Sequence, residues 1–148
     1  MKKIALFGMT AALTCFSFAA TAELKVEDAT KYRQGVFQAF KWNLGPMGAM
    51  VKGETEFNEE KFNMHAERLA QLSSMPWEGF IAGSFSKNTA ALPKIENDRE
   101  GYQKQIDNFQ KAAGNLAAAA KTNEMKNIGP AFAQAGRSCK SCHDKYKD

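Results

Sequence analysis

The spacing of apolar residues along the chain predicts four amphipathic helices. Over residues 26–51, apolar side chains recur every three or four positions, the spacing that places them on one face of a helix. Pro46 lacks a backbone N–H, so we expect a kink or a short break in this first helix. A second helix is expected over residues 59–74, because Asn58 is a suitable N-cap and an apolar stripe follows it.

A long loop separates these two helices from the other two. Residues 75–93 are rich in Gly, Pro, Ser and Asn but also contain large aromatic side chains, and such a loop either folds over a functional group or caps the end of a bundle. The third helix is expected over residues 94–121. The fourth runs towards the C-terminus from a cap at Asn127, with Pro130 in its first turn. Four such helices without a strand pattern predict an all-α fold, an antiparallel four-helix bundle.

Residues 1–22 have the features of a secretory signal peptide. Two lysines precede an apolar run that ends in Ala20-Thr21-Ala22, a cleavage site of small residues. Cleavage there removes Cys15 and leaves residues 23–148 as a single domain. No later apolar run in the sequence has the length that spans a membrane, so the product is expected in the periplasm or outside the cell.

The formal net charge of the chain is small. Lys and Arg number 20 against 16 Asp and Glu, and the net charge of +4 falls further when the two signal-peptide lysines are removed. This balance is not typical of a protein that binds nucleic acid or an anionic membrane. The chemistry of the protein must therefore be sought in a local motif.

That motif is Cys139-Lys140-Ser141-Cys142-His143, close to the C-terminus. Two cysteines three apart and an adjoining histidine are the arrangement that attaches a c-type haem, because each sulfur forms a thioether with a vinyl carbon and the histidine binds the iron. On a helix, residues three or four apart share a face, so Cys139, Cys142 and His143 can reach one porphyrin. The periodicity places the motif on the apolar face of the fourth helix. The sequence thus predicts one covalently attached haem c, and this form of attachment favours a bacterial periplasm.

Three other interpretations of the cysteines have less support. A zinc site needs four ligands, and only His65 and Cys15 remain to complete it. A thioredoxin-like redox pair follows a strand, whereas these cysteines lie late in a helical pattern. A disulfide between Cys139 and Cys142 is possible only in protein that has no haem.

Several stretches besides the haem motif are distinctive. They are Asp144-Lys145-Tyr146 after the motif, Tyr32-Arg33 in the first helix, the segment from Met47 to Gly53, and Met75-Pro76-Trp77 with Phe80 in the loop. By these features the whole sequence after the signal peptide resembles the cytochrome c′ family, the class II c-type cytochromes. The resemblance implies a four-helix bundle that holds one haem c. It also implies a homodimer packed through the first two helices, where Gly45, Gly48 and Ala49 would permit close approach.

The second axial position of the iron decides between two functions. In low-spin relatives a methionine four residues after the first-helix arginine binds the iron, and this chain has Phe37 at that position. The resemblance therefore implies five-coordinate, high-spin iron with Phe37 and Phe80 packed over the vacant side. The other side chains that could ligate iron are one histidine and five methionines: His65, Met47, Met50, Met64, Met75 and Met125.

An open iron position predicts reversible binding of small gases, nitric oxide above all and carbon monoxide as well, together with one-electron transfer. A wall of aromatic rings offers no hydrogen-bond donor, so it suits these gases better than dioxygen. The alternative is a low-spin electron carrier of a respiratory chain with a methionine as sixth ligand. An enzyme is the weaker hypothesis, because no acid-base residue is evident beside the open position. The sequence does not identify a redox partner.

Two basic residues are interpreted through the resemblance. Arg33 lies one turn before Phe37 and is expected to pair with a haem propionate, the alternative being a solvated surface arginine. Lys147 stands where the family commonly has an arginine on the histidine side of the haem. Lysine lacks the planar guanidinium fork, which puts any role that depends on that fork in doubt.

Overall fold

The protein is a bundle of four long helices joined by short turns and one long loop. The computed structural model describes residues 25–85 and 88–148, so the predicted signal peptide lies outside the described residues. Its helices are α1 (Val26–Val51), α2 (Glu59–Leu72), the one-turn α3 (Lys94–Asn97), α4 (Arg99–Ala120) and α5 (Met125–Tyr146), with a 3₁₀ turn at Pro76–Gly79. α1 packs on α2, α2 on α4 and α4 on α5. The predicted four-helix fold is confirmed, and no helix within the described residues is long and apolar enough to cross a membrane.

Helix α1 has the bounds that the apolar period predicts. Of the two expected effects of Pro46, a kink or a short break, the break is wrong, because the helix continues through this residue. The buried face of α1 includes Val36, Phe40 and Met47. Burial of three large apolar side chains stabilises the helix by more than the one backbone hydrogen bond that proline removes.

Helix α2 begins as predicted and ends two residues early. The side-chain oxygen of Asn58 accepts a hydrogen bond from the Lys61 N–H at 2.8 Å, which confirms the N-cap. The helix ends at Leu72 because Ser73 directs both its N–H and its hydroxyl to the Ala70 carbonyl, at 3.3 and 2.7 Å. These bonds tighten the last turn and satisfy a carbonyl that has no partner further along the helix.

The single helix expected over residues 94–121 is divided at Asp98. The backbone of Asp98 is non-helical (φ −129°, ψ 55°), and its carboxylate accepts the Gly101 N–H at 3.1 Å. Asp98 is therefore the N-cap of α4, and the preceding turn becomes the separate α3. Short polar side chains favour this position because they satisfy an N–H group that has no partner inside the helix.

The start of α5 also differs from the prediction. The helix begins at Met125, and Asn127 lies inside it, with its side-chain N–H donating to the Glu124 carboxylate at 2.8 Å. Asn127 is therefore not the N-cap. Pro130 consequently lies in the second turn, where its ring removes one helical hydrogen bond.

Two adjoining groups of buried side chains form the core. The main cluster fills the bundle between the long helices and includes Phe40, Phe62, Leu69, Leu116 and Ile128. The loop cluster lies beneath the long loop and consists of Phe80, Phe85, Ile95, Tyr102, Ile106 and Tyr146. Phe37 and Trp77 pack against both clusters. The aromatic residues of the long loop are thus part of the core.

Candidate haem attachment site

The two thiols of α5 lie where the clusters meet. Cys139 packs against the main cluster and Cys142 against the loop cluster, and both are half-buried without a disulfide. The helical spacing explains this arrangement, because residues three apart lie on the same face. His143 follows at an exposed position. The structure therefore places both cysteines on the inner face of α5, as the periodicity predicts, with His143 beside them.

The surroundings of the motif favour its neutral forms. Burial raises the pKa of Cys139 above its ordinary value. The pKa of Cys142 is raised to about 11, mainly by burial and to a smaller extent by the neighbouring Cys139. The pKa of His143 is lowered mainly by partial desolvation and also by the positive charge of Lys147. An axial imidazole must be neutral, which agrees with the direction of the His143 shift. A zinc site has less support on geometric grounds, because the described residues contain no group of three or more His, Cys, Asp or Glu side chains that could hold a metal ion.

Four aromatic side chains form a continuous surface across the bundle, here called the aromatic wall: Phe37, Phe40, Trp77 and Phe80. The ring of Phe37 makes edge contacts with Phe40, Trp77 and Phe80 at centroid distances of 5.4, 5.9 and 6.2 Å. The sequence identified Phe37 and Phe80, and the structure brings them together. It did not place Phe40 or Trp77 beside Phe37, because neither an apolar period nor a position in the loop says which residues surround that ring.

The wall has no free N–H or O–H donor of its own. Its one polar group is the indole N–H of Trp77, which donates to the Ser73 carbonyl at 2.6 Å. The other three members are phenylalanines. A group held against this wall therefore meets only apolar surface.

Arg33 is buried, with 2% of its surface exposed, so its interpretation as a solvated surface arginine is wrong. Two of its N–H groups donate to Gly79 O and Ser84 Oγ, and two more to Ser84 O and Thr89 Oγ1, at 2.5–2.9 Å. Its guanidinium also lies over the Phe80 ring, 4.5 Å from the centroid. Four of the five N–H donors of arginine are thus used to hold the long loop, a role that the sequence did not predict, and the Nε–H has no partner among the described residues.

The alternative iron ligands have other surroundings. His65 is buried and its Nδ1 lies 3.0 Å from the side-chain oxygen of Asn43, so this histidine is a hydrogen-bonded core residue. Met47 and Met50 are buried in the main cluster. The other three methionines are 36–40% exposed: Met64, Met75 and Met125.

The C-terminal residues are bonded to the long loop and to α4. The backbones of Ala91 and Lys147 form an isolated antiparallel bridge, and Lys147 itself is exposed. The hydroxyl of Tyr146 donates to the Asp98 carboxylate at 2.7 Å, and Lys145 pairs with the same carboxylate at 2.9 Å. These contacts could not be predicted from the sequence, because their partners lie far apart in the chain.

The residues present fit a covalently bound haem. Two unpaired thiols on one helical face adjoin an aromatic surface, as a flat apolar macrocycle requires. The hydroxyl of Tyr102 is buried in the loop cluster without a hydrogen-bond partner. Cys139 and Cys142 would hold the haem and His143 would bind its iron.

Comparison with known proteins agrees with this chemistry. A family model described as Cytochrome C' matches residues 28–147. The cytochrome c' of Halomonas halodenitrificans is 35% identical over 127 residues, which cover 82% of this chain and 96% of that protein. The solved cytochrome c prime from Shewanella frigidimarina is 45% identical with a TM-score of 0.82, covering 84% of this chain and 97% of that one.

A third similar protein is a variant of cytochrome c prime from Alcaligenes xylosoxidans, solved as its nitric oxide complex. It is 32% identical with a TM-score of 0.79, and the match covers 85% of this chain and 98% of that one. Another variant of that cytochrome was solved with carbon monoxide bound. The family model spans most of the chain and includes nearly all of the four long helices. From the haem motif, the bundle and these matches together, the chain belongs to the cytochrome c′ family, whose members carry one covalently attached haem c.

Proposed function

We propose that this protein binds nitric oxide and carbon monoxide reversibly at five-coordinate, high-spin iron and can transfer one electron. In this proposal Cys139 and Cys142 form the thioethers and His143 is the axial ligand. The haem supplies an open coordination position and a one-electron redox couple. Cytochromes c′ are gas-binding and electron-carrying haem proteins rather than enzymes in the usual sense.

The observation that carries the proposal is the position of Phe37. It lies four residues after Arg33 on α1, within the aromatic wall, and its ring has no atom that can bind iron. The wall is apolar and provides no free hydrogen-bond donor, because the Trp77 N–H is already used. Nitric oxide and carbon monoxide need no donor, whereas a polar bound dioxygen is stabilised by one. The solved relatives with these two gases bound support the same conclusion.

The alternative, a low-spin carrier with methionine as sixth ligand, has less support. Met47 and Met50 pack inside the main cluster, and the other three methionines are partly exposed. None of them stands at the position four residues after Arg33. The aromatic wall therefore contains no methionine.

Spectroscopy of the purified holoprotein tests the proposal directly. Optical and paramagnetic-resonance spectra of the oxidised and reduced protein should be high-spin, and nitric oxide and carbon monoxide should change them. Low-spin spectra with a methionine-to-iron charge-transfer band, unmoved by either gas, would refute the proposal in favour of the electron carrier.

We also propose a periplasmic location, after removal of residues 1–22. The sequence pattern of a signal peptide and a thioether-bound haem both support export. N-terminal sequencing of the haem-containing protein should begin at Glu23. A haem-containing product that still begins at Met1 would contradict the proposal.

A homodimer through α1 and α2 is the third part of the proposal. Trp42 is 75% exposed on α1, beside a groove of about 380 Å³ lined partly by Gly45 and Pro46. So large an exposed aromatic surface is typical of an interface. Gly48 does not serve this purpose, because a Cβ there would lie 3.4 Å from the Phe132 ring inside the same chain.

A further inference from the structure

The hydroxyl of Tyr102 is buried and has no hydrogen-bond partner. Tyr102 is 4% exposed, and within residues 25–85 and 88–148 its hydroxyl is the one buried side-chain polar atom left without a partner. An unpaired buried hydroxyl is costly, and nearly all such groups in native proteins are bonded. We therefore looked for a partner that the polypeptide does not supply.

Arg33 is a second buried group that lacks a matching partner. Its guanidinium makes no ion pair with any carboxylate of the described residues, and its four hydrogen bonds go to carbonyl and hydroxyl oxygens. Buried charges in proteins are normally paired with an opposite charge. One buried cation and one buried O–H donor thus both need an acceptor, and an anion would satisfy both.

The two groups adjoin the same ring. Phe80 has the Arg33 guanidinium carbon 4.5 Å from its centroid and the Tyr102 ring centroid at 5.3 Å. Cys142, one of the two haem-attaching residues, packs against the loop cluster that contains Tyr102. A haem attached at Cys142 would therefore lie beside this cluster. The anionic groups that such a haem provides are its propionate carboxylates.

We propose that Tyr102 is a haem-binding residue whose hydroxyl donates a hydrogen bond to the propionate that compensates the charge of Arg33. A carboxylate can accept several hydrogen bonds at once, and bonds to a charged acceptor are stronger than bonds to a neutral one. Arg33 contributes its charge and its remaining Nε–H, while Tyr102 contributes the O–H. The proposal depends on the family's haem and is independent of the proposed gas binding.

The groups around Tyr102 keep its hydroxyl protonated. Burial raises the pKa of Tyr102 far above its ordinary value, and Cys142 and Tyr146 on α5 act in the same direction. Arg33 on α1 and Arg99 on α4 act in the opposite direction but do not reverse the shift. The hydroxyl is therefore a donor at neutral pH.

The test compares the wild-type holoprotein with Tyr102→Phe and a control, Tyr32→Phe. The control removes a hydroxyl whose single O–H already has acceptors within hydrogen-bond distance, the Glu78 carboxylate and the Met75 carbonyl. We expect Tyr102→Phe to shift the propionate bands in the resonance Raman spectrum. The propionate pKa, read from the pH dependence of the reduction potential, should rise by about one unit because the charged form loses a hydrogen bond. In the Tyr32→Phe control, the propionate bands and the propionate pKa should equal those of the wild type. The carbon monoxide stretching frequency should be unchanged in both variants.

Two results would overturn the proposal. Unchanged propionate bands and an unchanged propionate pKa in Tyr102→Phe would overturn the proposal. Stability equal to or greater than that of the wild type would then show that the hydroxyl was unpaired, since replacing such a group by an apolar one of the same shape is neutral or stabilising. A shifted carbon monoxide stretch with unchanged propionate bands would mean that the hydroxyl faces the bound gas. Propionate bands exist in both high-spin and low-spin protein, so this test can fail or succeed independently of the gas-binding proposal.

Discussion

Replacement of Arg33 should release the long loop from the bundle. In Arg33→Met the apolar stem is retained and the four loop hydrogen bonds are lost. Two of their acceptors are the backbone carbonyls of Gly79 and Ser84, both buried residues, and the other two are hydroxyls that can turn to other partners. Each buried carbonyl left without a donor costs about 1–3 kcal/mol, so the two together cost about 2–6 kcal/mol.

A compensating gain reduces this cost. The guanidinium is buried without a carboxylate of the described residues beside it, and desolvation lowers the pKa of Arg33. Removing a buried charge regains part of its desolvation free energy. In the holoprotein the proposed propionate partner offsets part of this gain, because it loses its opposite charge. We therefore expect a net loss near the lower end of the range, about 2 kcal/mol in the free energy of unfolding. Arg33→Lys, which keeps the charge but not the fork, should recover about half of that loss.

Urea unfolding of the holoproteins at neutral pH measures these differences, and hydrogen exchange of the Ser84 amide shows whether the loop has opened. Arg99→Met is the matched control, because Arg99 is exposed and its one hydrogen bond, to Phe80 O, is 3.5 Å long. The control should lose less than about 0.5 kcal/mol. If Arg33→Met were as stable as Arg99→Met, with unchanged Ser84 exchange, the loop-holding role of Arg33 would be refuted.

Three further predictions concern gas access, pH and assembly. Phe37→Ala should speed carbon monoxide binding in stopped-flow experiments, because it removes a ring from the aromatic wall, whereas Phe57→Ala in the connection before α2 should not. Asp98→Asn should lower the thermal stability at pH 7. Hydrogen bonds from Lys145 and then from Tyr146 lower the pKa of Asp98 from 3.8 to about 2, so the charge stabilises the fold above pH 3.8 and this contribution disappears as the pH falls towards 2. Trp42→Ala should shift sedimentation from dimer to monomer.

Each of these predictions can fail in a defined way. An unchanged carbon monoxide rate in Phe37→Ala would remove that ring from the path of the gas. A stability difference between wild type and Asp98→Asn that persists at pH 2 would show that the carboxylate acts through packing rather than charge. Dimers of Trp42→Ala as strong as those of the wild type would exclude the exposed face of α1 as the main interface.

The sequence by itself determined the elements and the attachment chemistry. The apolar period defined all four long helices because it is a property of each helix alone, and it predicted the bounds of α1 to the residue. The haem motif depends on cysteines three apart and an adjoining histidine, which is also local information. The errors at Asp98 and Asn127 concern helix ends, where several polar residues can serve as the cap and tertiary contacts decide between them.

Only the tertiary structure decided how distant side chains meet. The sequence allowed Arg33 to be either a surface residue or a propionate partner. Its burial beneath the loop depends on contacts with residues 46–56 positions further along the chain. By its sequence position Tyr102 is simply one of the apolar residues of a helix. Its hydroxyl lacks a partner because the loop cluster surrounds it, and only the tertiary structure shows this. Helical periodicity reports which residues face inwards, but hydrogen bonding and charge compensation in the core depend on which helices and loops pack together.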